Sequence, residues 1–157
     1  MLIEKDYRGT KATLAYNGLP FTVPKNLYLI GMMNTADRSL AMIDYALRRR
    51  FSFFEIEPGF HSAGFQSYQS ALDHDTFNTL IERIKELNQE IAADSSLGPG
   101  FRIGHSYFCG QAECTDEWLK EVVEYDILPM LHEYWFDEPD KLQRWENILR
   151  GVFNDER

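Results

Sequence analysis

Phe77, Leu80, Ile84, Leu87 and Ile91 recur at alternating three- and four-residue steps. No other feature of the sequence constrains the fold as strongly, because this spacing lines one face of a helix with apolar side chains and leaves the rest for water. Such a helix needs a partner layer, and the residues that follow supply one. Gly98-Pro99-Gly100 interrupts the pattern, and Thr115 stands where it can cap a helix carrying Trp118, Val122 and Tyr125. Pro129 bends or restarts that helix, since proline has no N–H to give. Pro139 fits the first turn of a last helix with Leu142, Trp145, Ile148, Leu149 and Val152 on its inner face. The stretch from Pro58 to His74 is polar and broken by Gly59 and Gly64, so it reads as a connector with at most a short helix. Residues 61–157 are thus expected to be a connector and a helical subdomain.

The first 60 residues read differently. Residues 1–8 mix Leu2 and Ile3 with charges before Gly9, like the last turns of a helix stopped by glycine. Asn17-Gly18, between short apolar arms, signals a hairpin, and Pro20 places its second arm at an edge. Leu27-Tyr28-Leu29-Ile30 continues without a charge to Asn34, which fits a strand covered on both faces. A polar turn and a helix with Leu40, Ile43 and Leu47 on one face come next, and Phe51, Phe53, Phe54 and Ile56 then suggest a second strand. Strand, turn, helix, strand is the grammar of an α/β core, so residues 1–60 are expected to form a partial one.

Composition narrows the function classes. Sixteen Lys and Arg stand against 25 Asp and Glu, a net charge of -9, which disfavours a sequence-independent duplex binder. No apolar run approaches the roughly 20 residues needed to span a bilayer, and the opening lacks the form of a secretory signal, so a cytoplasmic protein with no membrane partner is expected. Cys109 and Cys114 are too few for a disulfide framework and too widely spaced for a tight zinc pair. His61, His74, His105 and His132 form no close metal-ligand pattern, and no metal site is expected among them. Neither a nucleophile–base set nor a glycosidase pair of carboxylates is legible, which leaves little room for an independent enzyme.

Three places carry chemistry. Asn34 and Asp37 follow a strand's C-terminal end, where open α/β sheets gather ligands, and an amide with a carboxylate can orient a water. Capping of the next helix by Asp37 is the competing reading. Arg48, Arg49 and Arg50 close that helix, either as a basic cap paired through Asp44 or as anion readers, because a guanidinium holds two phosphate oxygens in a fixed fork. A helix of about 13 residues is roughly 20 Å long, so Asn34 and Arg50 do not readily serve one phosphate within a single chain. If both ends function, the arginine end reaches a neighbouring subunit, which predicts a ring with composite sites. Arg102, between Gly100 and Gly104, is either an anion reader or part of a structural turn.

The run GMMNTADRSLAMIDYALRRRF, residues 31–51, closely resembles the GTP-dependent B subunit of McrBC modified-cytosine restriction systems and its AAA+ relatives. MLIEKDYRG at the start, GFRIGHSYF at 100–108 and ILPMLHEYWFDEP at 127–139 extend the likeness over essentially the whole chain in the same order. The resemblance implies the C-terminal part of an AAA+ P-loop nucleotide-hydrolase core followed by a mainly helical lid. It implies that Asn34 is the sensor-one asparagine and Asp37 the acidic residue of the adjoining motif. Arg49 and Arg50 become the intersubunit finger pair, with Arg50 on phosphate, and Arg102 becomes a lid residue that contacts nucleotide. The implied reaction is attack of water on the γ-phosphate of GTP with Mg²⁺ bound, ATP being a second candidate nucleotide. Other copies in a hexameric ring, an McrC-like nuclease subunit and DNA are the implied partners.

The phosphate loop G-x-x-x-x-G-K-S/T is not in this sequence, nor is the acidic magnesium-organizing segment expected before residue 1. The segment alone is therefore expected neither to bind GTP strongly nor to hydrolyse it. A noncatalytic interaction or assembly fragment of the same motor is the alternative.

Overall fold

The computed structural model describes residues 2–34, 48–111 and 113–154. The chain divides into two compact units, Met1–Glu55 and Ile56–Arg157.

In the first unit a 3-10 turn, Lys5–Tyr7, leads to Gly9, whose φ of 84° lies in the left-handed region that glycine tolerates. The Gly9 N–H donates to the Val23 carbonyl at 2.8 Å, and Val23 is the buried apolar side chain of this unit among the described residues. Strands β1 (Ala12–Thr13) and β2 (Pro20–Phe21) pair antiparallel, with Ala12 opposite Phe21 and Thr13 opposite Pro20. The Asn17-Gly18 hairpin is therefore present, as a wider loop than a two-residue turn. Gly18 has φ 69° and donates to the Leu14 carbonyl, while Asn17 Oδ1 accepts from the Leu19 N–H at 3.0 Å. Both strands are edges, which suits Pro20.

The α/β expectation fails here. The described residues hold a small, open, two-stranded antiparallel sheet and not the parallel P-loop core of an AAA+ nucleotide hydrolase. Residues 27–33 take no regular structure, and Tyr28, Ile30 and Met32 are 84%, 93% and 96% exposed. Phe51, Phe53, Phe54 and Ile56 are likewise exposed and unpaired in any strand. Continuous apolarity specifies a central strand only when both faces and both edges are covered, and among the described residues nothing covers these. The intervening helix expected up to Arg50 lies mostly outside the described residues.

The second unit is helical, as the periodicity requires. Helix α1 (Ala63–Leu72) begins where Ser62 Oγ accepts from the Phe65 N–H at 3.2 Å, and it ends at Asp73 in the left-handed conformation with φ 46°. Its length exceeds the short connector helix expected from so polar a stretch. Helix α2 (Asp75–Ala93) is capped by His74, whose Nδ1 accepts from the Phe77 N–H, and it buries Phe77, Leu80, Ile81, Ile84, Leu87 and Ile91. Thr115 Oγ1 accepts from the Trp118 N–H to start α3 (Asp116–Glu121), which runs through a π-helical segment, Val122–Ile127, into α4 (Leu128–Tyr134). Pro129 sits in the first turn of α4, and Pro139 opens α5 (Pro139–Gly151). Helix α2 packs against α3, α5 and the 3-10 turn Pro99–Phe101, which places it at the centre of one apolar cluster running from Phe60 to Leu149.

Candidate functional site

The loop that carries Arg102 is fixed from beneath by a buried amide. Asn88, on the inner face of α2, donates from Nδ2 to the Ile103 carbonyl at 2.9 Å and accepts from the Ile103 N–H on Oδ1 at 2.6 Å. These bonds satisfy both backbone groups of a residue whose side chain is itself buried, so the position beside Arg102 cannot shift without breaking two buried hydrogen bonds. Above that anchor, Arg102 donates from Nε to the Pro99 carbonyl at 2.9 Å, and its Nη1 lies 3.3 Å from a carboxylate oxygen of Glu57. Three residues on, His105 Nδ1 accepts the Gly59 N–H at 2.9 Å, and its ring stands edge-on to Phe60 and Phe65. A Cβ on Gly59 would come within 2.9 Å of that ring, which explains glycine there. The Gly100–Gly104 segment is thus a built turn with a cationic side chain on it.

A second support lies at the end of α2. Asp94 Oδ2 accepts from Trp135 Nε1 at 3.0 Å and from Lys141 Nζ at 2.6 Å, with Lys141 also 4.6 Å from the centre of the Trp135 ring. The Lys141 hydrogen bond, helped by Ser96, holds the Asp94 carboxyl far below the usual carboxylate range. Glu90 similarly accepts from Arg144 and from Trp145 Nε1. These contacts tie three helices together and do not touch Arg102.

In the first unit, Asn34 ends the irregular apolar run and is exposed. Asp37 lies outside the described residues. Arg49 is exposed and Arg50 half-buried in the turn after Arg48, whose guanidinium lies 6.0 Å from the Phe53 ring centre. Arg50 Nε donates to Glu4 Oε1 at 2.5 Å, and this contact lowers the Glu4 carboxyl below its ordinary range. Arg50 also lines a shallow cavity with Ile3, Arg8, Leu29, Phe51 and Ser52. Asn34 is not part of that lining. Glu4, Arg8 and Glu57 had no sequence signal as partners, because each contact joins residues far apart in the chain. Glu4 and Arg50, for example, are separated by 46 positions.

Each unit by itself offers a guanidinium on a short polar support, Arg50 in the first and Arg102 in the second, a group suited to phosphate or carboxylate oxygens. Among the described residues no group of three or more His, Cys, Asp or Glu side chains could hold a metal ion. No helix among them is long and apolar enough to cross a membrane.

Residues 79–143, from α2 to the start of α5, match the family model of the McrB alpha-helical lid domain. Over 163 aligned residues the chain is 49% identical to the type IV methyl-directed restriction enzyme EcoKMcrB subunit of Escherichia coli strain K12. The alignment takes in 96% of this chain and 36% of that protein, so the chain spans about a third of its relative's length. The helical unit agrees with that description in being alpha-helical, and the two matches together identify the chain as McrB-type in its lid region.

Proposed function

We propose that this chain forms the lid and phosphate-contacting part of a GTP-dependent restriction motor, a hexameric ring that drives DNA cleavage by a separate McrC-like nuclease subunit. The observation that carries the reading is the 49% identity to a restriction-enzyme subunit, sustained over 96% of the chain rather than over the lid alone. In this reading Arg50 directs its guanidinium to the γ-phosphate of a nucleotide held by the adjacent copy, with Arg49 beside it as the second cation. Charge builds on the equatorial oxygens of that phosphate as the bond to the leaving group lengthens, and a positioned guanidinium stabilises it. Asn34 orients the attacking water, assisted by Asp37, and Arg102 contacts the nucleotide from the lid. GTP is the favoured nucleotide and ATP the second candidate.

Mg²⁺ supplies charge neutralisation between the phosphates when bound. The described residues do not fit a cradle for it, so its ligands are assigned to residues outside them, and no step here passes through the ion.

The test is GTP turnover by the complete subunit. Arg50→Ala should reduce it on the order of 10³-fold while ring assembly, followed by sedimentation, is kept. Turnover and assembly both at the level of the unsubstituted protein would overturn the finger role and leave the chain as an interaction module.

A further inference from the structure

We propose that the outer face of the run from α3 through α4 is a docking surface for a basic amphipathic segment of another protein, one that carries Lys or Arg on either side of an apolar anchor. Glu117, Glu121, Tyr125, Pro129 and Glu133 follow one another at four-residue steps and are all exposed, and Phe136, just past the end of α4, is exposed as well. In an α-helix such a row drifts about 40° sideways at each step, since four residues exceed one turn of 3.6. The π-helical segment Val122–Ile127, closed by the Leu128 N–H on the Val123 carbonyl, has a wider turn and takes up that drift at the middle of the row. The row therefore stays on the side opposite Leu119, Val123, Ile127 and Leu131, which are fully buried. This surface is independent of the nucleotide role given to Arg50 and Arg102.

Two properties of this face fix the chemistry of its occupant. Tyr125 and Phe136 are 76% and 82% exposed, and exposed aromatic rings are the anchors that protein interfaces favour. The carboxylates are the second property. On α2, Glu82, Glu86 and Glu90 each stand beside a cation, Lys85, Arg83 and Arg144 in turn. Among the described residues the side chains of Glu117, Glu121 and Glu133 have no such partner. Residues 113–140 hold ten Asp and Glu against Lys120 as their one Lys or Arg, and Lys120 lies 5.6 Å from the centre of the Phe153 ring. Carboxylates in an unpaired row repel one another and repel phosphate, so a nucleic acid is disfavoured and a cationic partner relieves the strain of like charges. From Glu117 to Phe136 the row is roughly 30 Å long at helical rise, the reach of a partner helix of about 20 residues.

The experiment follows the fluorescence anisotropy of a labelled helical peptide of about 20 residues, built from Ala and Lys with a central row of Leu, as the full chain is added at about 0.15 M salt. Binding should weaken about tenfold or more in Glu117→Lys/Glu121→Lys and about fivefold in Tyr125→Ser. Glu82→Lys/Glu86→Lys alters the net charge by the same amount on α2 and should stay within about twofold of the unsubstituted chain. A peptide with Ser in place of Leu should bind about fivefold more weakly than the Leu peptide. An equal loss from the α2 pair, or a Ser peptide that binds as tightly as the Leu peptide, would reduce the effect to bulk charge and overturn the proposal. Absence of binding would overturn it too, and sedimentation that shows a dimer dissolved by Glu117→Lys/Glu121→Lys would give the face to a second copy instead. If a substituted chain fails to fold, the comparison of the two peptides on the unsubstituted chain decides.

Discussion

The helical unit surrounds its apolar residues with one another, whereas the first unit leaves most of its own in contact with water. In the former, Phe77, Ile84, Leu131 and Trp135 reach complete burial inside one cluster, and the polar groups that enter it, Asn88 and Glu146, are both hydrogen-bonded. In the latter, Val23 is the buried apolar side chain among the described residues, while Ile30, Met32 and Phe54 are exposed by more than four-fifths. A higher density of hydrophobes therefore does not by itself make a buried core, since the first unit is the richer in them. A helix face carries its own hydrogen bonds and needs only something to lie against, but an extended apolar segment needs neighbours for its backbone as well.

The most decisive way to break this contrast is to separate the units. Residues 56–157 alone should unfold cooperatively on heating, and residues 1–55 alone should show no cooperative transition by circular dichroism. A sharp transition in the shorter piece would mean that its stability has a source the burial pattern does not reveal. Within the helical unit, Trp135→Ala should cost about 3–5 kcal/mol by chemical denaturation, since it empties a fully buried site and removes a hydrogen bond to Asp94. A loss under about 1 kcal/mol would show that the cluster collapses around the gap.

The helical half was legible for a physical reason. Phe77 through Ile91 mark a face by spacing alone, and Thr115 and Pro139 mark helix starts by chemistry that acts within one turn. Helix α1 was underestimated because it buries a single residue, Phe65, among serines and glutamines, so its face has no period to read. The strands expected at Leu27 and Phe51 were misread because a hydrophobic run says what must be covered and not whether a cover exists. The sequence points to Asn34, Arg49, Arg50 and Arg102 as candidates, but not to the side chains that support the arginines. Glu4 and Glu57 meet their arginines through the fold, and no pattern along the chain anticipates such a meeting.

Smaller effects sharpen the same comparison. Asn88→Leu should cost about 1–3 kcal/mol by leaving the N–H and carbonyl of Ile103 buried without partners, and thermal unfolding of Asn88→Asp, which restores only the acceptor, should fall between. The acid limb of stability reports on Asp94. Its carboxyl is depressed in the folded state, so its contribution is complete above about pH 4 and drains away as pH falls below that ordinary value. Asp94→Asn should therefore be less stable at neutral pH yet show a shallower decline between pH 4 and pH 2 in the same unfolding assay. Thr115→Ala should cost about 1 kcal/mol through loss of its cap. Arg83→Ala, which removes an exposed pair with Glu86, should change stability by less than about 0.5 kcal/mol.

The Asn88 amide has one further consequence, which concerns time rather than energy. Ile103 belongs to no helix, yet its N–H is sequestered by a side chain rooted in the middle of α2. Its proton should exchange with solvent deuterium on the schedule of that helix, at a rate set by rare global opening rather than by loop fluctuation. Arg102, next along the chain, then inherits the persistence of the central lid helix while keeping part of its side chain in contact with solvent.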